Sequence, residues 1–359
     1  MSKVAIVGLG LMGGSLGLAI KRFCSDTSVV GVDREPVVLE EAKRRGAIDW
    51  GTLDLQKGTE KAELIFIATP IHEVFEILRK LPKVILPNAL VTDLGSTKAE
   101  VCKMASKFLP KNFVGGHPMT GSELQGMKGS DPFLFENAIY LLTPLKPKDK
   151  KVSVLSSFLE RLGAHVITVS PELHDQVAAY VSHLPQLLAV ALTQLICEKS
   201  KRQPLYRELA AGGFRDMTRI ASSPYEIWHD ILQSNAPKIR ESLDRLIDLL
   251  RKLKNRIPRG SVKSLWKTAA NFRHHLPIQR KGFIKPLHRI VITVKDEKGA
   301  LAKITNAIAT ANINICDIEL LKVREGFGGT FQLYFAHSEE ATYAVQIMSK
   351  IGFESRIID

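Results

Sequence analysis

Short runs of Val, Ile and Leu alternate with helical patterns over the first 145 or so residues. The runs are VAIVG (4–8), VVGVD (29–33), LIFIAT (64–69), ALVTD (89–93), FVGG (113–116) and AIYLLT (138–143). Continuously apolar strands with helices between them predict a parallel sheet covered on both faces. Pro36 sits where a first-turn proline belongs, and Ser170-Pro171-Glu172 reads as a helix start. Thr97-Lys98-Ala99-Glu100 and Ser223-Pro224-Tyr225-Glu226 read as capping boxes. From 171 to 275 the period is helical with almost no β signal, and Gly212-Gly213 marks a break between helices. Residues 276–287 hold two prolines and a glycine and read as a linker. From 288 to 359 the order is strand, helix, two strands, helix, strand, which is the ferredoxin-like plan. The predicted organisation is an α/β domain (1–170), an all-helical domain (171–275), the linker, and a small α+β domain (288–359).

Composition narrows the classes. An apolar content of 45 % and a charged content of 24 % over 359 residues are those of an ordinary globular protein. The four cysteines (Cys24, Cys102, Cys197, Cys316) show no metal-ligand spacing, so reduced thiols in the cytoplasm and no metal are expected. No signal peptide or membrane span is expected, since the longest apolar run in the most hydrophobic helix is only Leu187 to Leu192. The net charge of +13 is localised, with twelve Lys/Arg and no Asp/Glu from Arg251 to Arg289. That stretch has little aromatic interleaving, so a solvated face or a partner-subunit contact is expected there and nucleic acid is not.

Gly8-Leu9-Gly10-Leu11-Met12-Gly13 is a GxGxxG that directly follows the first strand and opens a helix. The second strand ends in Asp33. That context predicts a Rossmann-type, doubly wound dinucleotide site. Gly8 allows the turn, Gly10 the approach of the pyrophosphate, and Gly13 close packing of helix on strand, with the phosphates at the helix N-terminus. A carboxylate at Asp33 favours NAD over NADP, although Arg34 beside it could accommodate a 2′-phosphate.

Ligands bind such sheets at the C-terminal ends of the strands. Thr69-Pro70, Thr92 to Lys98 and Gly115 to Glu123 fall there. Among them His117 is the candidate acid/base, because imidazole suits removal of a hydroxyl proton near neutral pH. Ser96 is the candidate to orient it. In the helical region His183, Arg215 and Arg219 stand out, the arginines as forks for a carboxylate.

Five segments together resemble the prephenate dehydrogenase family, which includes arogenate and cyclohexadienyl dehydrogenases. They are VGLGLMGGSL, VTDLGSTK, GGHPMTGSE, SHLPQ and GFRDMTRIASSPYEIW, and the resemblance covers about residues 1–275. It implies NAD-dependent oxidation and decarboxylation of prephenate to 4-hydroxyphenylpyruvate, with arogenate or dual use as the alternative. It implies His117 as the base, Ser96 orienting it, Arg219 on the ring carboxylate and His183 near the substrate side chain or the same carboxylate. Glu123, with Ser122 beside it, would shape the pocket, and Gly8, Gly10, Leu11, Met12, Gly13, Asp33, Arg34, Thr69 and Pro70 would line the cofactor site. A homodimer built through the helical domain is also implied. Residues 288–359 look like an ACT domain, with Gly299 and Ala300 at its effector-binding turn, Asn312 and Ile313 entering its second strand, and tyrosine as the expected effector.

Overall fold

The structure, a computed structural model, describes all residues except Met1, Glu123, Gly260, 276–286, Asp296, 325–327 and Asp359. The chain divides into two compact units, Met1–Leu265 and Trp266–Asp359. The first unit takes in both the α/β part and most of the helical part. The expected linker lies outside the described residues except for Leu287.

The first unit opens with β1 (Lys3–Val7), α1 (Leu11–Phe23), β2 (Ser28–Val32), α2 (Pro36–Arg44), β3 (Trp50–Thr52) and α3 (Leu55–Thr59). Next come β4 (Leu64–Ile67), α4 (Ile71–Lys80), β5 (Leu90–Asp93) and α5 (Ala99–Phe108). These five strands form a wholly parallel sheet in the order β3-β2-β1-β4-β5. Its two faces carry separate apolar cores, one around Ile6, Leu16, Ile20 and Phe66, the other around Ile65, Val74, Val91 and Val101. The expected two-sided sheet is therefore present.

It is smaller than expected, because a second sheet follows. β6 (Val114–Pro118), β7 (Ile139–Pro144), α6 (Lys150–Arg161) and β8 (His165–Thr168) give the order β6-β7-β8. β7 runs antiparallel to β6 and parallel to β8. A single parallel bridge, Val91 to Phe113, links it to the first sheet. Two strands, β3 and β8, carry no apolar run long enough to be read: three and four residues, with Trp50 and Thr168 exposed.

The helical part begins with α7 (Pro171–Ala178), a π-helical turn (Ala179–His183) and α8 (Leu184–Ser200), one continuous rod. Pro185 has no N–H to give the carbonyl of Val181 and its ring crowds that carbonyl, which accounts for the wider turn. By length and composition alone Pro171–Ser200 is apolar enough to cross a membrane, a property the short apolar run had concealed. Its buried side chains include the polar His174, Asp175, His183 and Gln186. Then follow α9 (Leu205–Glu208), α10 (Gly212–Thr218), a 3-10 turn (Arg219–Ser222), α11 (Tyr225–Ser234) and α12 (Ala236–Arg256). Gly212 and Gly213 open α10 instead of separating two helices.

Ser170 caps α7 as expected, accepting from Leu173 N at 3.2 Å, and Pro36 opens α2. The two expected capping boxes do not form. Ser223 turns its hydroxyl to Ile220 O at 2.8 Å, and Pro224 holds the cap position of α11. Helix α5 starts two residues beyond Thr97, and its free N–H groups are taken by a side chain from another helix.

Helix α13 (Lys263–His275) crosses the division between the units, and Lys263, Lys267 and Arg273 of the basic stretch are exposed on it. The second unit continues with β9 (His288–Val294), α14 (Ala300–Thr310), β10 (Asp317–Arg324), β11 (Gly328–Phe335), α15 (Ser338–Lys350) and β12 (Glu354–Ile358). Its sheet is antiparallel in the order β10-β11-β9-β12, the ferredoxin-like arrangement. Ile290, Ile292, Leu333 and Phe335 pack on Ile304, Ile308, Ala344 and Met348 of the two helices.

Candidate active site

At the edge where β1 meets α1, Gly8 has φ +92°, a conformation that side chains resist, and a Cβ there would meet Ala68 O at 2.8 Å. A Cβ at Gly13 would overlap the carbonyl oxygen of Gly8, so α1 can lie this close only with glycine. At Gly10 no atom lies within 4 Å of the Cβ position. That open space adjoins the N-terminus of α1, which has no side-chain cap, so its N–H groups at Leu11 and Met12 suit a phosphate. Asp33 follows β2, and its carboxylate accepts from Leu9 N at 2.8 Å and Glu35 N at 3.0 Å. The acid is thus fixed against the glycine turn. Thr69, after β4, has a buried hydroxyl with no hydrogen-bond partner, and Pro70 is the N-cap residue of α4. An uncapped helix start, an open cradle, a fixed carboxylate and an orphaned hydroxyl all fit a dinucleotide along this edge. The Arg34 guanidinium points to Glu73 at 3.0 Å.

Next along the edge, Asp93 at the end of β5 is fully buried and paired with the equally buried Lys98. Its carboxylate also accepts from Gly95 N at 2.9 Å and Gly116 N at 3.2 Å. A buried charge of either sign is costly alone, and here the two neutralise each other. The pair ties the loop after β5 to the residue preceding His117.

His117 is itself buried. Its Nδ1 lies 2.8 Å from His174 Nε2, and His174 Nδ1 lies 2.8 Å from Asp175 Oδ1. Asp175 also accepts from Lys98 N at 2.7 Å and Ala99 N at 2.9 Å, so it caps α5 from α7. Burial first, then the charges of His174, Lys98 and His183, hold the His117 pKa well below the usual imidazole range. Burial lowers His174 too, against the pull of its bond to Asp175. Burial works to raise Asp175, but bonds from His174, Ala99 and Lys98 outweigh it and leave the pKa lowered. A neutral imidazole held by a neighbour that is in turn held by a carboxylate is the arrangement of an oriented general base.

His183 closes the cluster. It is buried, its pKa is pushed down to about 4, by burial first, and its Nε2 has no partner. Asn235 Nδ2 lies 3.3 Å from its Nδ1 and donates to Asp175 O at 2.8 Å, while Trp228 packs edge-on against the ring.

Two family models match the chain, "Prephenate dehydrogenase, nucleotide-binding domain" over residues 16–168 and "Prephenate dehydrogenase, dimerization domain" over 170–271. The prephenate dehydrogenase of Bacillus subtilis is 36 % identical, covering 99 % of this chain and 98 % of its own length. The chain belongs to the prephenate dehydrogenase family. The cyclohexadienyl dehydrogenase of Zymomonas mobilis is 32 % identical over 71 % of this chain and 88 % of its own. A solved prephenate dehydrogenase from A. aeolicus, in complex with hydroxyphenyl propionate and NAD+, superposes with a TM-score of 0.70. It is 33 % identical and covers 76 % of this chain and 96 % of its own. A Synechocystis arogenate dehydrogenase superposes at 0.67, with 32 % identity, covering 76 % of this chain and all of its own.

As a member of the prephenate dehydrogenase family the chain is an oxidoreductase, and its site residues divide into those brought together and those not. His117 and His183 meet in one buried cluster. Ser96 is half-buried, and the Nδ1 of His117 faces His174. Arg219 opens the 3-10 turn and is exposed on this chain, as is Arg215, whose Nε donates to Ala210 O at 3.1 Å. Gln186 holds the Arg219 turn by donating to Ile220 O at 3.0 Å, which joins the SHLPQ and RIASSP segments. Ser122 is exposed and its oxygen accepts from Leu124 N at 3.1 Å, and Glu123 lies outside the described residues. Lys98, Asp93, His174 and Asp175 were not anticipated as site residues. The one available signal was a His-Asp pair in the first turns of a helix whose cap and proline were already legible.

In the second unit Gly299 has φ +85° at the uncapped start of α14 and Asn312 has φ +56° on the surface. The side chain of Ala300 belongs to the apolar core, and that of the half-buried Ile313 packs against it.

Proposed function

We propose that this chain catalyses the NAD-dependent oxidative decarboxylation of prephenate to 4-hydroxyphenylpyruvate. The observation that carries this reading is the buried His117–His174–Asp175 chain, tied through Gly116 and Asp93 to the edge of the sheet that holds the uncapped glycine turn. NAD+, when bound, supplies the two-electron acceptor for the hydrogen at C4 of the substrate. His117 Nε2 takes the proton of the C4 hydroxyl. The ring carboxylate leaves as CO₂, its bonding pair enters the ring, and the ring becomes aromatic. The oxygen at C4 then regains its proton from His117, so no net proton is consumed. Helix and strand ends fix the base in place, and the low proton affinity of His117 keeps it neutral and ready to accept.

Relatives acting on arogenate or on both substrates share the fold, and the side-chain end of the pocket decides between them. His183, neutral and with an unpartnered Nε2, is the residue we place there. Arg219 is our candidate for the ring carboxylate. Two copies pair through the helical segment, a reading supported by the dimerization-domain match and by exposed Val181, Leu195, Leu209 and Ile227. We further propose that residues 288–359 are an ACT domain that binds tyrosine at Gly299 and Asn312, and that the protein works in the cytoplasm.

The test is NADH formation, followed by absorbance, with prephenate and arogenate supplied in parallel, NAD+ or NADP+ as acceptor, and tyrosine added. Turnover with prephenate and NAD+ supports the reading. Turnover only with arogenate moves the substrate, and no turnover with either removes the assignment. A rate insensitive to tyrosine removes the effector.

A further inference from the structure

We propose that His174 and Asp175 are positioning residues that fix which ring nitrogen of His117 is free to take a proton. The proposal rests on the reading of His117 as the base. It follows from three successive assignments, made with Asp175 ionised and His174 neutral, the forms that their lowered pKa values favour. The Asp175 carboxylate faces two backbone N–H groups, Lys98 N at 2.7 Å and Ala99 N at 2.9 Å, which can only donate. Asp175 is therefore the ionised, acceptor-only form. His174 Nδ1, 2.8 Å from Oδ1, must then carry its proton and donate it. The other nitrogen of a neutral His174 has a lone pair, and it faces His117 Nδ1 at 2.8 Å. His117 must carry its own proton at Nδ1, and its Nε2 is bare. The backbone of α5 thus dictates, through two side chains, the tautomer of a base on β6.

Three features make the arrangement more than local packing. His174 is 1 % exposed, so water cannot replace it as the acceptor. When His117 takes a proton, its Nδ1–H still points at an acceptor backed by a carboxylate, which stabilises the cation that forms. Finally, His117 belongs to the nucleotide-binding domain whereas His174 and Asp175 sit on α7, so the base is complete only while α7 is docked on α5. The other titratable groups around His117 are Lys98 with its partner Asp93 and, from the π turn, His183. All of these stay in place when His174 is changed.

The experiment compares His174→Phe and His174→Gln in the full chain, with pH profiles of kcat using prephenate and NAD+. In H174F, kcat should fall about 100-fold while both KM values move by less than about threefold. The acid limb of kcat should shift to lower pH, because the His117 cation has lost its acceptor and a neutral His174 exerts no repulsion whose loss would offset that. Glutamine can accept from His117 and donate to Asp175, so H174Q should recover about tenfold of the loss. NAD+ titration by protein fluorescence checks that the cofactor site survives. If H174F does not fold, H174Q alone should show about a tenfold lower kcat and the lowered limb. Wild-type kcat and an unmoved limb in either variant would overturn the proposal. So would equal losses in the two with an unmoved limb, since that is a packing defect. His117→Asn separates the two readings: turnover surviving in H117N would sink the base assignment itself, whatever His174 does.

Discussion

The carboxylate of Asp230 accepts both the backbone N–H of His72, at 3.1 Å, and its Nδ1, at 2.7 Å. Helix α4 has no side-chain cap of its own, so Asp230 caps it from α11, just as Asp175 caps α5 from α7. Two aspartates of the helical part thus seat on two helix starts of the nucleotide-binding domain, where the helix dipoles favour negative charge. Burial works to raise the Asp230 pKa, but the bonds from His72 and His229 outweigh it and leave it lowered. A carboxylate with a lowered folded pKa stabilises above its unfolded value and loses that contribution as pH falls through the folded one. Asp230→Ala should therefore cost about 1 kcal/mol at pH 7, read as a lower urea midpoint. The gap to the parent chain should close as the pH drops below the carboxylate range. Equal midpoints at neutral pH would show that this cap does not hold the two parts together.

His117, His174 and His183 are all buried and all have pKa values below the 6.5 of a free imidazole. The unfolded chain therefore binds more protons below that pH than the folded one. The stability they confer is complete above 6.5 and declines as pH falls toward the folded values. For His183, with a folded value of about 4, the window runs from 6.5 down to 4. Each histidine contributes a slope of roughly 1.4 kcal/mol per pH unit inside its window, so His183 alone accounts for on the order of 3 kcal/mol. Denaturant midpoints measured from pH 8 to pH 5 should fall on the acid side, and His183→Asn should flatten the slope by about one proton. A flat profile in the parent chain would mean that these rings titrate alike in the folded and unfolded chains.

What the chain's pattern revealed was whatever lies close in sequence. The glycine turn, Asp33, the ends of β1 and β2, and the βαββαβ order of the second unit all rest on spacings of a few residues to a few tens, and each is present. His117 could be singled out because it stands at a strand end beside the expected nucleotide site. Its partner lies 57 residues away on a helix of ordinary appearance, and no local period links His174 to β6. The cap of α5 misled for the same reason. Thr97 and Glu100 have the right spacing for a box, but Asp175 reaches those N–H groups from another helix, and a fully ionised acceptor outcompetes a hydroxyl. Lys98 stood in a recognisable segment, yet nothing in the string of residues says that its ammonium is fully buried against Asp93. The antiparallel turn of β7 was equally hidden, since strand direction is set by connections and not by apolar content.

Gly10 and Gly13 differ in what surrounds them, and the difference can be measured. A methyl group at Gly13 would overlap the Gly8 carbonyl, and because both partners are backbone, α1 must shift. Gly13→Ala should lose about 2–3 kcal/mol of stability and nucleotide binding with it. A methyl at Gly10 meets nothing within 4 Å, and Gly10 has φ −68°, which alanine adopts freely. Gly10→Ala should therefore keep its thermal midpoint to within about 0.5 kcal/mol. It should nevertheless weaken NAD+ binding about tenfold or more, since the methyl occupies the approach of the pyrophosphate. Unchanged NAD+ affinity in G10A would place the cofactor elsewhere.

Arg34 and Glu73 bear on the choice between NAD and NADP. A 2′-phosphate would be repelled by the Asp33 carboxylate but attracted by the neighbouring guanidinium. Arg34 is 79 % exposed and its Nη1 is held by Glu73 at 3.0 Å. An exposed ion pair of this kind contributes between about 0 and 1 kcal/mol, so releasing the arginine can shift affinity only by about threefold to fivefold. Asp33→Ser should admit NADP+ by removing the repulsion, and adding Glu73→Gln should raise the NADP+/NAD+ affinity ratio by about that further factor. Fluorescence titration of each dinucleotide without substrate reads the ratio directly, apart from any effect on turnover. Arg34→Ala in the double variant should cancel the gain. If Glu73→Gln leaves the ratio of Asp33→Ser unchanged, Arg34 does not reach the ribose end, and selectivity rests on Asp33 alone.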